Sequence, residues 1–93
     1  MTAFTFAHAA DLHLDSPFKG LTADSGQYPH IAKTMREATF AAFEKLISLC
    51  IDRDVAFLLL AGDVYDAQDL SVRAMLRFRD GLKRLDDHGI PAF

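Results

Sequence analysis

Apolar residues recur along this chain at two spacings, one typical of strands and the other typical of helices. Residues 3–8 place aromatic side chains at alternate positions, Phe4 and Phe6, which predicts a short strand. From residue 31 to about residue 53, apolar residues recur at steps of three and four. That spacing predicts an α-helix with one buried face, formed by Phe40, Phe43, Leu46, Ile47, Cys50 and Ile51.

A second strand and a second helix follow the first pair. Residues 55–61 are apolar at every position, which predicts a strand buried on both faces, as at the centre of a parallel sheet. Gly62 ends this strand. A helix is predicted over residues 70–88, with Gly89 after its C-terminus. Its predicted buried stripe consists of Met75, Phe78, Leu82 and Leu85. Residues 90–93 are typical of the start of a third strand.

The alternation of strands and helices predicts the α/β fold class, with parallel strands joined by right-handed crossovers. Parallel sheets are normally larger than this and are covered by helices on both faces. We therefore interpret residues 1–93 as the N-terminal part of a single α/β domain, in βαβαβ order and truncated at the third strand.

Composition excludes several classes of protein. A chain that is 51% hydrophobic and 25% charged is typical of a soluble globular protein. One cysteine, Cys50, excludes an internal disulfide and a cysteine-cluster zinc site. The longest apolar run, seven residues, is too short to cross a membrane, and no signal peptide is recognisable, so a cytoplasmic location is expected. A net charge of −3 disfavours nucleic-acid binding by overall charge.

Polar side chains follow both predicted strands, at the sheet edge where ligands bind in open α/β folds. Asp11 and His13 are two residues apart, so in extended backbone they point to the same side and offer an oxygen and a nitrogen to one ion. That donor set suits manganese, iron or zinc. Asp63 directly follows Gly62, and a carboxylate leaving a buried strand is costly unless it is paired or binds metal. It could also bridge two ions.

Each motif also has a structural interpretation. Asp11 and His13 could form a hydrogen-bonded pair in a polar loop, and Asp63 could cap the turn that follows it. Asp15 could contact the same site, although an ordinary loop carboxylate is the expected role. Basic residues of the second helix, including Arg73 and Arg84, are expected to form a solvated face, because Asp80 with Arg84 and Lys83 with Asp87 are opposite charges four residues apart.

Two segments resemble the first two signature blocks of the calcineurin-like metallophosphoesterases. They are His-Ala-Ala-Asp-Leu-His-Leu at residues 8–14 and Leu-Leu-Ala-Gly-Asp-Val-Tyr-Asp at residues 59–66. The first block continues with Asp-Ser-Pro-Phe to residue 18, which is most similar to the DNA-repair exonuclease branch, the SbcD-type nuclease subunits. The resemblance extends over essentially the whole chain and implies the metallophosphoesterase sandwich fold.

The resemblance implies metal-dependent hydrolysis of phosphodiesters, with DNA or another phosphodiester as substrate and an ATPase subunit as partner. It implies two divalent metal ions, manganese before zinc or iron. Asp11 and His13 would bind the first ion, and Asp63 would bridge both. His8 and Asp66 are expected to lie beside these ligands and orient them.

No catalytic residue is assigned, because the third family block, Gly-Asn-His followed by Asp or Glu, does not occur in this chain. We therefore expect the isolated chain to be inactive, and we expect its open sheet edge to favour self-association. Two alternatives remain at this point. One is a non-catalytic interaction or regulatory module that retains the fold. The other is a receiver-like α/β domain, which gathers acidic residues at strand ends but leaves His13 unexplained.

Overall fold

The computed structural model describes residues 3–15, 28–65 and 71–93. In this part of the chain the elements are β1 (Ala7–Ala10), α1 (Tyr28–Asp52), β2 (Leu58–Ala61) and α2 (Val72–Asp87). The predicted α/β class and element order are confirmed. No helix within these ranges combines the length and the hydropathy that a membrane span requires.

The two strands are parallel, with Ala7 opposite Leu58 and Ala10 opposite Ala61. Residues 91–93 lie along the other edge of β2, where Ala92 pairs with Leu58 in parallel orientation and Phe93 N donates to Leu58 O at 2.9 Å. β2 therefore lies between β1 and residues 91–93, which the sequence predicts as the start of a third strand.

Both strands are shorter than predicted, and each begins later. Residues 3–6 contribute one bond, from Ala56 N to Thr5 O, before the regular ladder starts at Ala7. Residues 53–55 form the turn that leaves α1: Val55 N donates to Cys50 O, and Asp54 has a φ of 49°. Val55 is apolar like a strand residue, but its backbone N–H returns to the helix. Ala56 and Phe57 already bond to Thr5 and Ala7, just before the regular strand begins at Leu58.

The core lies between the sheet and the two helices. The predicted buried face of α1 contributes Phe40, Phe43, Ile47 and Cys50, and the sheet contributes Leu58. Helix α2 packs beside α1 through Ala74, Gly81 and Leu85, with Phe78 partly buried.

The predicted α2 stripe is wrong at Met75, which is 46% exposed. Contact with α1 instead runs through small residues. A Cβ added to Gly81 would overlap the ring of Phe43, so the absence of a side chain there lets the two helices approach closely. By hydrophobicity alone, Met75 would be buried at the contact between the helices. Close packing of the two helices instead requires a small residue, so Ala74 is buried there.

Two arginines of α2, Arg73 and Arg84, reach α1 rather than pairing along their own helix. Arg84 donates to Glu44 at 2.8 Å, and Asp80 pairs with Arg79 at 3.6 Å, so the expected pairing of Arg84 with Asp80 is wrong. Arg73 also pairs with Glu37, at 3.1 Å. Because the helices lie side by side, a long guanidinium side chain reaches an acid on its neighbour.

One face of the sheet is uncovered among the described residues. Alternate residues of β1 and β2 are buried or half-buried, whereas His8, Ala10, Leu59 and Ala61 on the opposite face are exposed. The prediction that β2 is buried on both faces is therefore wrong for the described chain. Right-handed crossovers that advance in one direction across a sheet place both helices on the same face.

That uncovered face bears a cluster of aromatic rings, which we call the phenylalanine face: Phe4, Phe6, Phe57 and Phe93. Phe6 and Phe57 are stacked with their ring centroids 5.0 Å apart, and Phe93 meets Phe57 edge to face at 5.9 Å. Phe4 and Phe93 are 66% and 71% exposed. Exposed apolar patches of this kind mark surfaces that bind something else.

Candidate metal centre

The loops that follow β1 and β2 stay together beyond the ends of the strands. Asp11 N donates to Ala61 O at 2.9 Å, His13 N to Asp63 O at 3.1 Å, and Leu14 N to Val64 O at 2.9 Å. Leu14 is buried in the core. The two segments that bear the predicted ligands are thus held side by side by backbone hydrogen bonds.

The first of these loops has an unusual backbone. Asp11, His13 and Asp15 have φ values of 53°, 45° and 59°, so alternate residues lie in the left-handed region. This conformation costs an L-residue about 1 kcal/mol, although Asp and His adopt it more readily than most residues. The extended backbone assumed from sequence is therefore wrong here, and the side chains of Asp11 and His13 converge by a different route.

The structure brings together the three residues predicted as ligands. One ligand atom each from Asp11, His13 and Asp63 lies within 4.8 Å of the others. Both aspartates are exposed and His13 is half-buried. An ion about 2.1 Å from each atom would hold those atoms at most roughly 4 Å apart, so small side-chain rotations suffice. Two carboxylates and an imidazole fit a divalent ion such as manganese, iron or zinc.

Gly62 makes this convergence possible. Its φ is 75°, and a Cβ at this position would overlap the carboxylate of Asp11. The next backbone N–H, that of Asp63, donates to Asp11 Oδ1 at 3.2 Å. The Gly62–Asp63 backbone therefore both makes room for the Asp11 carboxylate and orients it.

Of the two residues predicted to orient the ligands, the structure describes His8 alone. His8 lies in β1 with an exposed side chain, on the sheet face away from the helices and outside the group formed by Asp11, His13 and Asp63. Asp66 lies outside the described residues. The orienting role of both residues stays a prediction.

Asp15 is the residue that sequence reasoning missed. It is 2% exposed, and its carboxylate accepts hydrogen bonds from Arg36, Ser71 and Arg73. Burial by itself would raise the pKa of Asp15, but the bonds from Arg73, Ser71 and Arg36 outweigh burial and hold this pKa below its ordinary value. Its partners are 21 to 58 residues away in sequence, so no local pattern identifies them.

Comparison with known proteins agrees with this geometry. Residues 4–93 match the family model of the calcineurin-like phosphoesterases. The whole chain also aligns with a protein of Bacillus subtilis (strain 168) named uncharacterized metallophosphoesterase YhaO, with 39% identity over 94 residues. The aligned region is 22% of that protein, so the chain spans about a fifth of the length of the curated relative. Since the family model matches nearly the whole sequence, this chain belongs to the calcineurin-like phosphoesterase family.

Proposed function

We propose that this chain provides the first ligands of a two-ion metal centre in a phosphodiesterase that acts on DNA. The observation that supports the proposal best is the convergence of Asp11, His13 and Asp63 within 4.8 Å at the ends of two parallel strands. Membership of a phosphoesterase family supports hydrolysis of a phosphoester as the reaction.

Each residue has a distinct part in this proposal. Asp11 offers one carboxylate oxygen to an ion, in an orientation set by the N–H of Asp63. His13 offers a ring nitrogen, and its position is held through the bond from its backbone N–H to Asp63 O. The carboxylate of Asp63 has two oxygens, which allows it to contact a second ion. Bound divalent ions would supply the charge that polarises the phosphoryl group and activates water.

Charge explains why metal must bind before substrate. Asp11 and Asp63 place two negative charges on an exposed surface, and a phosphodiester is itself an anion. These carboxylates would repel the negatively charged phosphodiester, so the site without metal would disfavour substrate binding. A divalent ion would neutralise the two carboxylates and remove this repulsion.

The choice of DNA as substrate and of manganese as the ion is supported by sequence resemblance and by the exposure of the site. Residues 8–18 are similar to the DNA-repair exonuclease branch, which favours DNA as substrate and manganese as the ion. The exposure of both aspartates suits a polymer that cannot enter a closed pocket. A cytoplasmic location and an ATPase partner subunit belong to the same proposal.

Manganese binding by the 93-residue chain tests the ligand assignment. We expect Asp63→Asn and His13→Ala to remove most of the manganese uptake measured by electron paramagnetic resonance of the free ion. Asp86→Asn, which changes an exposed aspartate on α2, is the matched control and should bind like the wild type. Unchanged uptake in both site variants would show that the ligand assignment is wrong.

Hydrolysis tests the reaction and the substrate class. With added manganese, the complete protein that contains this chain should release nucleotides from linear DNA. Asp63→Asn should lower the rate of hydrolysis by orders of magnitude. The metal ligands act as a unit, so the loss of one ligand disables the others. The 93-residue chain alone should show no turnover. Hydrolysis of bis-nitrophenyl phosphate without any release from DNA would retain the phosphodiesterase but exclude DNA as its substrate.

A further inference from the structure

Asp15 differs from the nearby acidic residues Asp11 and Asp63 in what surrounds it. It lies two residues after His13, yet it is buried, whereas Asp11 and Asp63 are exposed. Its carboxylate does not belong to the group of ligand atoms that converge within 4.8 Å. A buried charge requires partners, and those of Asp15 come from both helices.

The partners of Asp15 form a connected set. Arg36 Nε and Arg73 Nη2 both donate to Oδ1, at 3.0 and 2.7 Å, and Ser71 Oγ donates to Oδ2 at 2.8 Å. Ser71 is also the N-cap of α2, where its Oγ accepts from Ala74 N at 3.0 Å. The carboxylate thus joins the loop to α1 and to the first turn of α2.

The backbone of Asp15 is held as well. Its N–H donates to Thr39 Oγ1 at 2.9 Å, and that hydroxyl donates to Arg36 O at 2.6 Å. Arg73 is fixed from its other side, because its Nη1 donates to Glu37 Oε1 at 3.1 Å. Residue 15 therefore has both its N–H and its carboxylate attached to the helices.

His13 lies between two anchored positions. On one side, Asp11 N and His13 N are bound to Ala61 O and Asp63 O, carbonyls of β2 and the loop that follows it. On the other side stands Asp15 with its helix contacts. Left-handed residues such as Asp11, His13 and Asp15 persist only where surrounding contacts hold them.

We propose that Asp15 is a positioning residue: its bonds with Arg73 and Arg36 hold residues 11–15 in the shape that brings His13 and Asp11 towards one metal ion. This inference rests on the proposed function and extends it to a residue outside the ligand set. Contacts behind metal ligands set ligand geometry, and their loss weakens metal binding about 10–100-fold.

An ordinary ion pair between the same helices provides the matched control. Arg84 donates to Glu44 at 2.8 Å, so it also joins α2 to α1, at a site that does not contact residues 11–15. Arg84→Gln should lower the stability of the helix pair without changing metal affinity. Asp15→Asn and Arg73→Met should change both.

Manganese affinity of the 93-residue chain, measured by calorimetry, is the first readout. We expect Asp15→Asn and Arg73→Met to weaken binding about tenfold, and Arg84→Gln to bind within twofold of wild type. Arg73→Lys keeps the charge and should restore part of the affinity. Thermal unfolding confirms that each variant is folded at the titration temperature, and the Arg73 variants decide the question if Asp15→Asn does not fold. Unchanged affinity in Asp15→Asn and Arg73→Met would overturn the proposal.

Hydrogen exchange in the metal-free chain is the second readout and separates this proposal from the metal assignment. The His13 amide should exchange faster in Asp15→Asn and Arg73→Met than in Arg84→Gln, relative to the Phe43 amide in α1. If the wild type binds no manganese, the proposed function is wrong, and His13 exchange alone decides whether Asp15 positions the loop. Faster exchange supports that role, and unchanged exchange overturns it.

Discussion

Two glycines of this chain share a left-handed backbone but differ in what surrounds them. Gly62 has a φ of 75° and Gly89 a φ of 72°. A Cβ on Gly62 would overlap the Asp11 carboxylate, whereas a Cβ on Gly89 would meet nothing within 4 Å. Alanine at either position imposes the same backbone strain, so the pair separates strain from damage to the candidate metal centre.

We expect Gly62→Ala and Gly89→Ala each to lower the free energy of unfolding by about 1 kcal/mol, because alanine disfavours a positive φ. Only Gly62→Ala should also weaken manganese binding, since its Cβ displaces Asp11. Urea unfolding measures the first effect and calorimetry the second. Equal manganese affinity in the two variants would contradict the role assigned to Gly62.

The convergence of Asp11, His13 and Asp63 could be predicted from sequence because it depends on local features. Asp11 and His13 follow one strand, Asp63 follows the next, and parallel strands end at the same edge of a sheet. The left-handed conformation of Asp11 and His13 could not be predicted, since residue spacing does not determine φ. The role of Asp15 could not be predicted for another reason. Its role depends on Arg36 and Arg73, which only the folded chain brings to it.

At the scale of elements, the contact between α1 and α2 depends on a residue without a side chain. Helix propensity favours alanine over glycine by about 1 kcal/mol, so Gly81→Ala on an isolated helix would be stabilising. In this protein the added Cβ meets the ring of Phe43, which is 1% exposed and cannot move aside. Overpacking of a core costs about 1–3 kcal/mol.

We therefore expect Gly81→Ala to lower the free energy of unfolding by about 1 kcal/mol despite its better helix propensity. The measurement is urea unfolding followed by circular dichroism. In a Phe43→Leu background, where the ring is absent, the same substitution should cost less or become stabilising. Equal effects in both backgrounds would show that the ring of Phe43 is not the obstacle.

The accuracy of each predicted element depends on the physical signal that identifies it in the sequence. Helix α1 was predicted within a few residues because a 25-residue helix repeats its apolar spacing many times. The predicted start of β2 is too early because Val55 belongs to the turn after α1, and the regular strand begins only at Leu58. Met75 was wrongly assigned to the core because a contact built on Ala74 and Gly81 has little hydrophobic signal.

At the scale of the whole molecule, the two faces of the sheet differ in what they contact. Both helices pack on one side of the sheet. The opposite side carries the phenylalanine face and Leu59, which is 39% exposed. Rings that are stacked on one another, such as Phe6 and Phe57, form a continuous apolar surface rather than scattered residues. Burial of such a surface lowers the free energy by roughly 25 cal/mol for each Å² of apolar area removed from water.

We expect the 93-residue chain to self-associate through the phenylalanine face at high micromolar concentration, because a second copy would cover the same apolar rings. Sedimentation velocity should show dimers or larger species for the wild type, and Phe6→Ser with Phe57→Ser should shift the chain to a monomer. Met75→Ser removes an apolar side chain of similar exposure from α2, away from this face, and should leave association unchanged. A wild-type chain that remains monomeric at this concentration would contradict the prediction. Association that persists in the phenylalanine variants would instead place the contact at the edge of β1 that no described strand covers, where backbone groups can bind another strand.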